Sequence, residues 1–226
     1  MIIIFNDEMK QLVIFDLDGT LLDTIADLGM ASNYALEQLG YPTHPLSAYP
    51  MYVGNGVKRL LARVLPPGTD TPERVEELRS VFKEYYDAHN TVHTSPYPGI
   101  TELLEILQNR GVKLAVASNK YHDAVVKLIK HYFPGIEWAA IEGQKEDRPV
   151  KPDPSIVFEI LSQNPTPKAD VLYVGDSGVD METARRACVD SVGVTWGFRQ
   201  VSELREFNAT YVVNEAKMIL SLVENV

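Results

Sequence analysis

Two aspartates stand two residues apart in the stretch VIFDLDGTLLDT, residues 13–24. The residues before Asp16 are apolar, which predicts a buried strand that ends where Asp16 and Asp18 begin. Gly19 then allows a sharp turn, and Thr20 offers a hydroxyl group. Like charges about 4 Å apart repel each other by ~4 kcal/mol at an effective dielectric constant near 20, so these carboxylates need compensation.

Further polar groups follow other predicted strands. The run VLYV leads into GDSGVD, residues 175–180, which contributes Asp176 and Asp180, and the run LAVA leads into Ser118. Lys151 stands in the rigid frame Lys-Pro-Asp-Pro. Because ligands of a parallel α/β sheet bind beyond the carboxyl ends of its strands, we expect these side chains to form one site with the first two aspartates.

This set of side chains fits phosphate chemistry. An all-oxygen donor set suits Mg²⁺, which usually keeps several waters and takes a phosphate oxygen of the substrate. Ser118 and Lys151 can donate to the remaining phosphate oxygens. No cysteine or histidine spacing indicates zinc. The residues therefore predict phosphoryl transfer through an aspartyl phosphate.

The elements that position these groups form an α/β pattern. Apolar runs without polar alternation predict buried parallel strands at 12–15, 113–117, 138–141, 171–174 and 191–195. Helical patterns lie between them at 101–109, 124–132 and 155–162. This order predicts a doubly wound, Rossmann-like α/β core with a parallel sheet.

Residues 22–94 do not follow this alternation of strands and helices, because they contain helical patterns and no predicted strand. The patterns cover 25–39 and 57–65, and the last one begins with Thr71 as N-cap and Pro72 at the first helical position. We expect an all-helical cap domain at 22–95, inserted into a core made of 10–21 and 96–226. Residues 1–9 are expected to be an N-terminal extension.

The composition excludes several classes of function. The chain has 226 residues, with 21 basic and 31 acidic side chains and a net charge of −10, which argues against nucleic acid and anionic membranes as main partners. No apolar run approaches the ~20 residues of a membrane span. Cys188 is the single cysteine, so no intrachain disulfide can form, and it is expected to be a small core residue. We expect a cytoplasmic protein, a monomer or homodimer, that binds a small phosphorylated metabolite.

Together these motifs resemble the haloacid dehalogenase-like superfamily of phosphatases. The resemblance covers nearly all of residues 10–226 and rests on DLDGT, the hydroxyl after the second core strand, the lysine and GDSGVD. It implies that Asp16 is the nucleophile and that Asp18 protonates the leaving alcohol and then activates water. It also implies that Asp16, the Asp18 carbonyl and Asp176 hold Mg²⁺, and that Asp180 orients metal waters or Lys151.

Ser118, Asn119 and Lys151 are the expected phosphate-binding residues. For Asn119 a turn or helix-cap role is the alternative, and Asp180 could also cap the helix that follows it. Lys120 either begins a helix or borders the substrate.

The cap stretch YVGNGVKRLLARVLP, residues 52–66, resembles bacterial phosphoglycolate phosphatases. It supplies the candidate specificity residues, because backbone N–H groups at a helix N-terminus can bind a small carboxylate and nearby cations can assist. These candidates are Gly54, Asn55, Gly56, Lys58 and Arg59. The alternative is that Gly-Asn-Gly only turns the chain and that the two cations are solvated.

The presence of Asp18 favours phosphate esters over the substrates of phosphonoacetaldehyde hydrolases and dehalogenases, which lack this aspartate. Within the superfamily, the expected function is a Mg²⁺-dependent phosphoglycolate phosphatase. The alternatives are a β-phosphoglucomutase-like or sugar-phosphate enzyme with the same core, and a non-catalytic module that binds phosphometabolites.

Overall fold

The computed structural model describes residues 9–224 of the 226 in the chain. Its strands are β1 (Leu12–Phe15), β2 (Leu22–Asp23), β3 (Ser95–Pro96), β4 (Lys113–Tyr121), β5 (Trp138–Gln144), β6 (Val171–Gly175), β7 (Asp190–Val194) and β8 (Tyr211–Val213). Its α-helices are α1 (Ile25–Gln38), α2 (Tyr49–Tyr52), α3 (Val57–Val64), α4 (Pro72–His89), α5 (Ile100–Asn109), α6 (His122–Tyr132), α7 (Ser155–Gln163), α8 (Gly178–Ala187), α9 (Val201–Glu206) and α10 (Met218–Glu224). Single 3₁₀ turns lie at Leu46–Ala48 and Lys168–Asp170.

In this part of the chain, six strands form one sheet in the order β5-β4-β1-β6-β7-β8, and each neighbouring pair is parallel. The predicted doubly wound, Rossmann-like α/β core is thereby confirmed. β1 is an inner strand between β4 and β6. The residues that follow these three strands therefore meet at one edge of the sheet.

The strand β1 is buried on both of its faces, which explains its unbroken apolar sequence. Val13 and Phe15 belong to the hydrophobic cluster that includes side chains of α5, α6 and α10. Leu12 and Ile14 point to the opposite face and belong to the cluster built with α7 and α8. All four side chains are fully buried, so β1 is firmly held beneath the site.

The helices α1 to α4 enclose a separate hydrophobic cluster, in agreement with the expected helical insert. Thr71 caps α4 as predicted, with its hydroxyl accepting a hydrogen bond of 3.4 Å from Arg74 N. The short helix α2 was not predicted. The core boundaries at residues 21–22 and 95–96 stay a prediction.

Two chain segments connect this helical part to the sheet. They pair as the antiparallel ribbon β2–β3, with Leu22 opposite Pro96. The buried carboxylate of Asp27, in α1, accepts hydrogen bonds from His93 N and from the backbone and side chain of Thr94. Hydrogen bonds therefore connect the first helix of the insert to the segment at the end of the insert.

The expected N-terminal extension, 1–9, lies outside the described residues except for Met9. Met9 is partly buried against the main core, and Lys10 N donates to Val223 O at 2.9 Å. Across residues 9–224, no helix is both long enough and apolar enough to span a membrane.

Candidate active site

A small cavity of about 40 Å³ lies where the helical insert meets the carboxyl ends of the central strands. Its sheet side is formed by Asp16 and Asp18 after β1 and by residues 118–121 at the end of β4. Its other side comes from α1, α3, α4 and the loop before α3. Five separate stretches of sequence therefore converge on one site.

Lys151 is the central cation beneath this cavity. Its buried Nζ lies 2.9 Å from Asp16 Oδ1 and donates to Asp180 Oδ1 at 2.7 Å, to Ala117 O at 2.9 Å and to the Tyr173 hydroxyl at 3.1 Å. Burial disfavours the ammonium form, but the carboxylates of Asp16 and Asp180 outweigh it and hold the pKa of Lys151 well above its usual value. Lys151 is therefore a fixed positive charge beside Asp16.

Asp180 fills two of the roles that the sequence left open. Its Oδ2 accepts hydrogen bonds from Ser177 N and Ser177 Oγ at 3.2 and 2.6 Å, so it belongs to the capping box at the start of α8. Its Oδ1 accepts from Lys151. Because both oxygens have protein partners, Asp180 is better suited to orient Lys151 than to bind a metal directly.

Asp16, Asp176 and Asp180 form a buried carboxylate cluster whose candidate ligand oxygens lie within 4.8 Å of one another. Asp16 Oδ1 is buried and receives no hydrogen bond of regular geometry from the described residues, although Lys151 Nζ is near. Asp176 Oδ2 accepts from Phe198 N at 2.6 Å. The all-oxygen donor set and the incompletely bonded carboxylate both fit a hard divalent cation.

The electrostatics of the cluster lead to the same conclusion. Burial raises the pKa of Asp16 to about 7, with Lys151 opposing this shift and the negative charges of Asp180 and Asp18 adding to it. Burial also raises the pKa of Asp176 well above its usual value, and Asp180 and Asp16 add to the effect. The protein therefore disfavours full ionisation of these carboxylates unless a cation is present.

The charges around the cavity can be counted. Four carboxylates, including that of Asp18, face two ammonium groups, those of Lys120 and Lys151. The carboxylates therefore outnumber the ammonium groups, and a divalent cation would offset negative charge that remains. The residues present therefore fit a divalent metal ion.

Asp18 is held by polar groups on two sides. The Thr24 hydroxyl donates to Asp18 Oδ1 at 2.7 Å, and Lys120 Nζ lies 2.8 and 3.0 Å from its two oxygens. These contacts orient the carboxyl group of Asp18 at the cavity wall. A general acid or base needs such a fixed orientation to exchange a proton with a bound molecule.

Ser118 and Asn119 lie on the strand β4, and both are buried at the cavity. The Asn119 amide donates to Gly54 O and Lys151 O, each at 3.1 Å, and its oxygen accepts from Lys151 N at 2.8 Å. Both amide hydrogens are therefore committed to backbone carbonyls. In this structure the Asn119 side chain therefore fixes the Lys151 backbone and joins it to the cap loop, and its contact with phosphate stays a prediction.

The structure brings Gly54 and Gly56 to the cavity but not the other three cap candidates. Asn55 accepts a hydrogen bond of 2.8 Å from Arg63. Lys58 and Arg59 are exposed because the opposite side of α3 is the buried one, as shown by its inward residues Leu60, Leu61 and Val64. In this structure Asn55 and the two cations therefore do not line the cavity.

Several side chains at the site carried no clear signal in the sequence. Lys120 was left between two roles, and Tyr86 and Thr24 were not singled out. Arg199 donates to Pro50 O in α2, and to Val53 O at 2.6 Å, so the loop after β7 holds α2 and the loop that precedes α3. These contacts join residues far apart in the chain, and no local pattern indicates them.

Gly19 makes the close approach of the first motif to Asp176 possible, and Gly19→Ala tests it. Gly19 has a φ of 88°, and an added Cβ would lie 2.3 Å from Asp176 Oδ2. We expect this variant to lose roughly 2–4 kcal/mol of unfolding free energy in urea titrations, from backbone strain plus the clash.

Gly40→Ala is the matched control for that experiment. Gly40 has a φ of 74°, but nothing lies within 4 Å of the added Cβ. Gly40→Ala should lose only about 1–2 kcal/mol of unfolding free energy, the cost of the backbone strain. Equal losses in the two variants would show that the contact with Asp176 contributes nothing.

Comparison with known proteins places these features in a family. The model of the haloacid dehalogenase-like hydrolases matches residues 13–194, which include every core motif described above. The phosphoglycolate phosphatase of Pseudomonas savastanoi pv. phaseolicola is 32% identical over 221 residues, covering 96% of this chain and 81% of the relative. That of Aquifex aeolicus is 34% identical over 206 residues, covering 87% of this chain and 91% of the relative.

Solved structures share the fold. A crystal structure from Lactobacillus delbrueckii subsp. bulgaricus, provisionally assigned as a phosphoglycolate phosphatase, superimposes with a TM-score of 0.90 at 34% identity, covering 96% of this chain and 100% of that one. A predicted phosphoglycolate phosphatase from Haemophilus somnus gives a TM-score of 0.84 at 25% identity, covering 95% and 98% of the two chains. The motifs, the sheet order and these matches agree, and the chain belongs to the haloacid dehalogenase-like hydrolase family.

Proposed function

We propose that this protein is a Mg²⁺-dependent phosphomonoester hydrolase that acts through an aspartyl phosphate on Asp16, with 2-phosphoglycolate as its substrate. The observation that carries the proposal is the buried, incompletely bonded Oδ1 of Asp16, which lies 2.9 Å from Lys151 and lines the same cavity as Asp18. The relatives named phosphoglycolate phosphatase support the choice of substrate.

In the proposed first step, a carboxylate oxygen of Asp16 attacks phosphorus and the bond from phosphorus to the ester oxygen breaks. Asp18 gives its proton to the departing alkoxide, which leaves as glycolate. In the second step, water attacks phosphorus and passes a proton to Asp18, and the bond between phosphorus and Asp16 breaks. Inorganic phosphate is released, and both aspartates return to their starting states.

The remaining core residues position the phosphoryl group. Lys151 and the Ser118 hydroxyl bind its oxygens, and Asp180 keeps Lys151 in place. A bound Mg²⁺, held by Asp16, the Asp18 carbonyl and Asp176, supplies positive charge to the transferring group. The helical cap at 22–95 closes over the site and excludes bulk water.

The test is inorganic phosphate release from 2-phosphoglycolate beside a panel of sugar phosphates and nucleotides, with Mg²⁺ or with EDTA. We expect Mg²⁺-dependent release with the highest kcat/KM for 2-phosphoglycolate. Release from other esters alone would refute the substrate but retain the hydrolase. Interconversion of sugar phosphate isomers with little phosphate release would instead identify a mutase.

A further inference from the structure

The wall that the cap contributes to the cavity carries no charged side chain among the described residues. It consists of glycine backbone and of apolar or aromatic side chains, including Leu28, Val57, Leu60 and Phe82. A substrate carboxylate that entered this cavity would also meet the negative charges of Asp16 and Asp18. Moving such an anion out of water is strongly unfavourable unless a cation pairs with it.

Lys120 is the cation that the described lining offers. Its side chain is 3% exposed, and its Nζ contacts both oxygens of Asp18. An ammonium group has three hydrogens, so even a separate bond to each oxygen of Asp18 leaves one for a ligand. Lys151 differs, because it lies 2.9 Å from Asp16 Oδ1, where the proposed function assigns it to the phosphoryl group.

Tyr86 lies beside Lys120 in the same wall. The Lys120 Nζ is 4.9 Å from the centre of the Tyr86 ring, and both residues line the cavity. Tyr86 is fully buried, yet its hydroxyl has no hydrogen-bond partner within the described part of the chain. A buried hydroxyl is costly without a partner, so this group is suited to meet one on a bound ligand.

We infer that Lys120, assisted by Tyr86, forms the subsite for the carboxylate of the substrate. This inference rests on the proposed function and deepens it. It assigns recognition of the substrate carboxylate to Lys120 on β4 rather than to the cap cations Lys58 and Arg59. Lys120 contacts Asp18, so a carboxylate held there lies next to the group that protonates the leaving oxygen. One side chain thereby couples the choice of substrate to the position of the acid.

The test compares 2-phosphoglycolate with 2-hydroxyethyl phosphate, in which a neutral alcohol replaces the carboxylate. In wild-type protein with Mg²⁺, kcat/KM should favour 2-phosphoglycolate. In Lys120→Met, the ratio of the two kcat/KM values should fall about 10- to 100-fold, the loss expected for one charged hydrogen bond. Tyr86→Phe should lower the same ratio by about 3- to 10-fold, and Lys120→Arg should lose less than Lys120→Met.

Lys58→Met is the matched control, because it removes an exposed cation from the cap. We expect its substrate ratio to equal that of the wild type. A Lys120→Met variant with reduced kcat for both substrates and an unchanged ratio would show that Lys120 only supports Asp18, which contradicts the subsite. A wild type with no preference for the carboxylate would refute the proposed substrate itself, so the two failures are distinct.

Discussion

Replacing Asp16 with asparagine is expected to reduce phosphate release by roughly 10⁴-fold or more while leaving the metal-free protein more stable than the wild type at pH 8. Activity falls because an amide cannot serve as the nucleophile of the proposed mechanism. Stability rises because burial raises the pKa of Asp16 to about 7, so its ionised form opposes folding at pH 8. Phosphate assays with Mg²⁺ and calorimetry in EDTA measure the two effects.

The expected gain in unfolding free energy is on the order of 1–3 kcal/mol, because the variant also gives up part of the attraction to Lys151. Asp70→Asn is the control, since Asp70 is an exposed residue of the loop before α4. It should change neither activity nor stability appreciably. An active Asp16→Asn enzyme would rule out covalent catalysis at this position, and a strongly destabilised one would show that Asp16 is mainly structural.

The sheet and the core of the site could be predicted because both depend on short, local patterns. Apolar runs buried on two faces identify the strands, and a parallel sheet necessarily gathers the residues that follow them. Asp16, Asp176 and Ser118 lie at the cavity or the carboxylate cluster for this reason alone. The Lys-Pro-Asp-Pro sequence likewise identified Lys151 as a site residue. The structure then shows its Nζ in four close contacts.

The contribution of the cap could not be predicted in the same way, because it depends on how two separate cores meet. Lys120 reaches Asp18 only because β4 continues to Tyr121, beyond the apolar run that marked it. For Lys58 and Arg59 a usable signal did exist. Leucines at the next two positions, together with Val64, define the buried side of α3 and leave both cations outside it.

Asn119 and Cys188 show the limits of local context. The position of Asn119 directly after Ser118 suggested phosphate binding, but a planar amide with two donors and an acceptor also suits fixing two loops at once. Cys188 follows an apolar helical stretch, which suggested a core position. It is exposed instead, because α8 ends there with a left-handed residue at a φ of 59°.

Magnesium is expected to stabilise the protein far more at pH 8 than at pH 5.5. Burial raises the pKa of Asp16 to about 7 in the folded state and raises that of Asp176 as well. A carboxyl group whose folded pKa is raised stabilises the fold fully below its unfolded value near 4, and this contribution is lost as the pH rises through about 7. The metal-free protein should therefore weaken across this interval, where a cation competes best with protons for the carboxylates.

At a Mg²⁺ concentration about 100 times its dissociation constant, binding adds ~2.7 kcal/mol, which corresponds to roughly 5–10 °C in Tm for a chain of this size. At pH 5.5 the same concentration should raise Tm by less than about 2 °C, because protons already neutralise the cluster. Sodium chloride at equal ionic strength controls for general screening. Asp16→Asn supplies the decisive comparison, since it removes both a proposed ligand and a titrating group. A Mg²⁺ effect that persisted in this variant, or that was equal at the two pH values, would place the bound cation somewhere other than the carboxylate cluster.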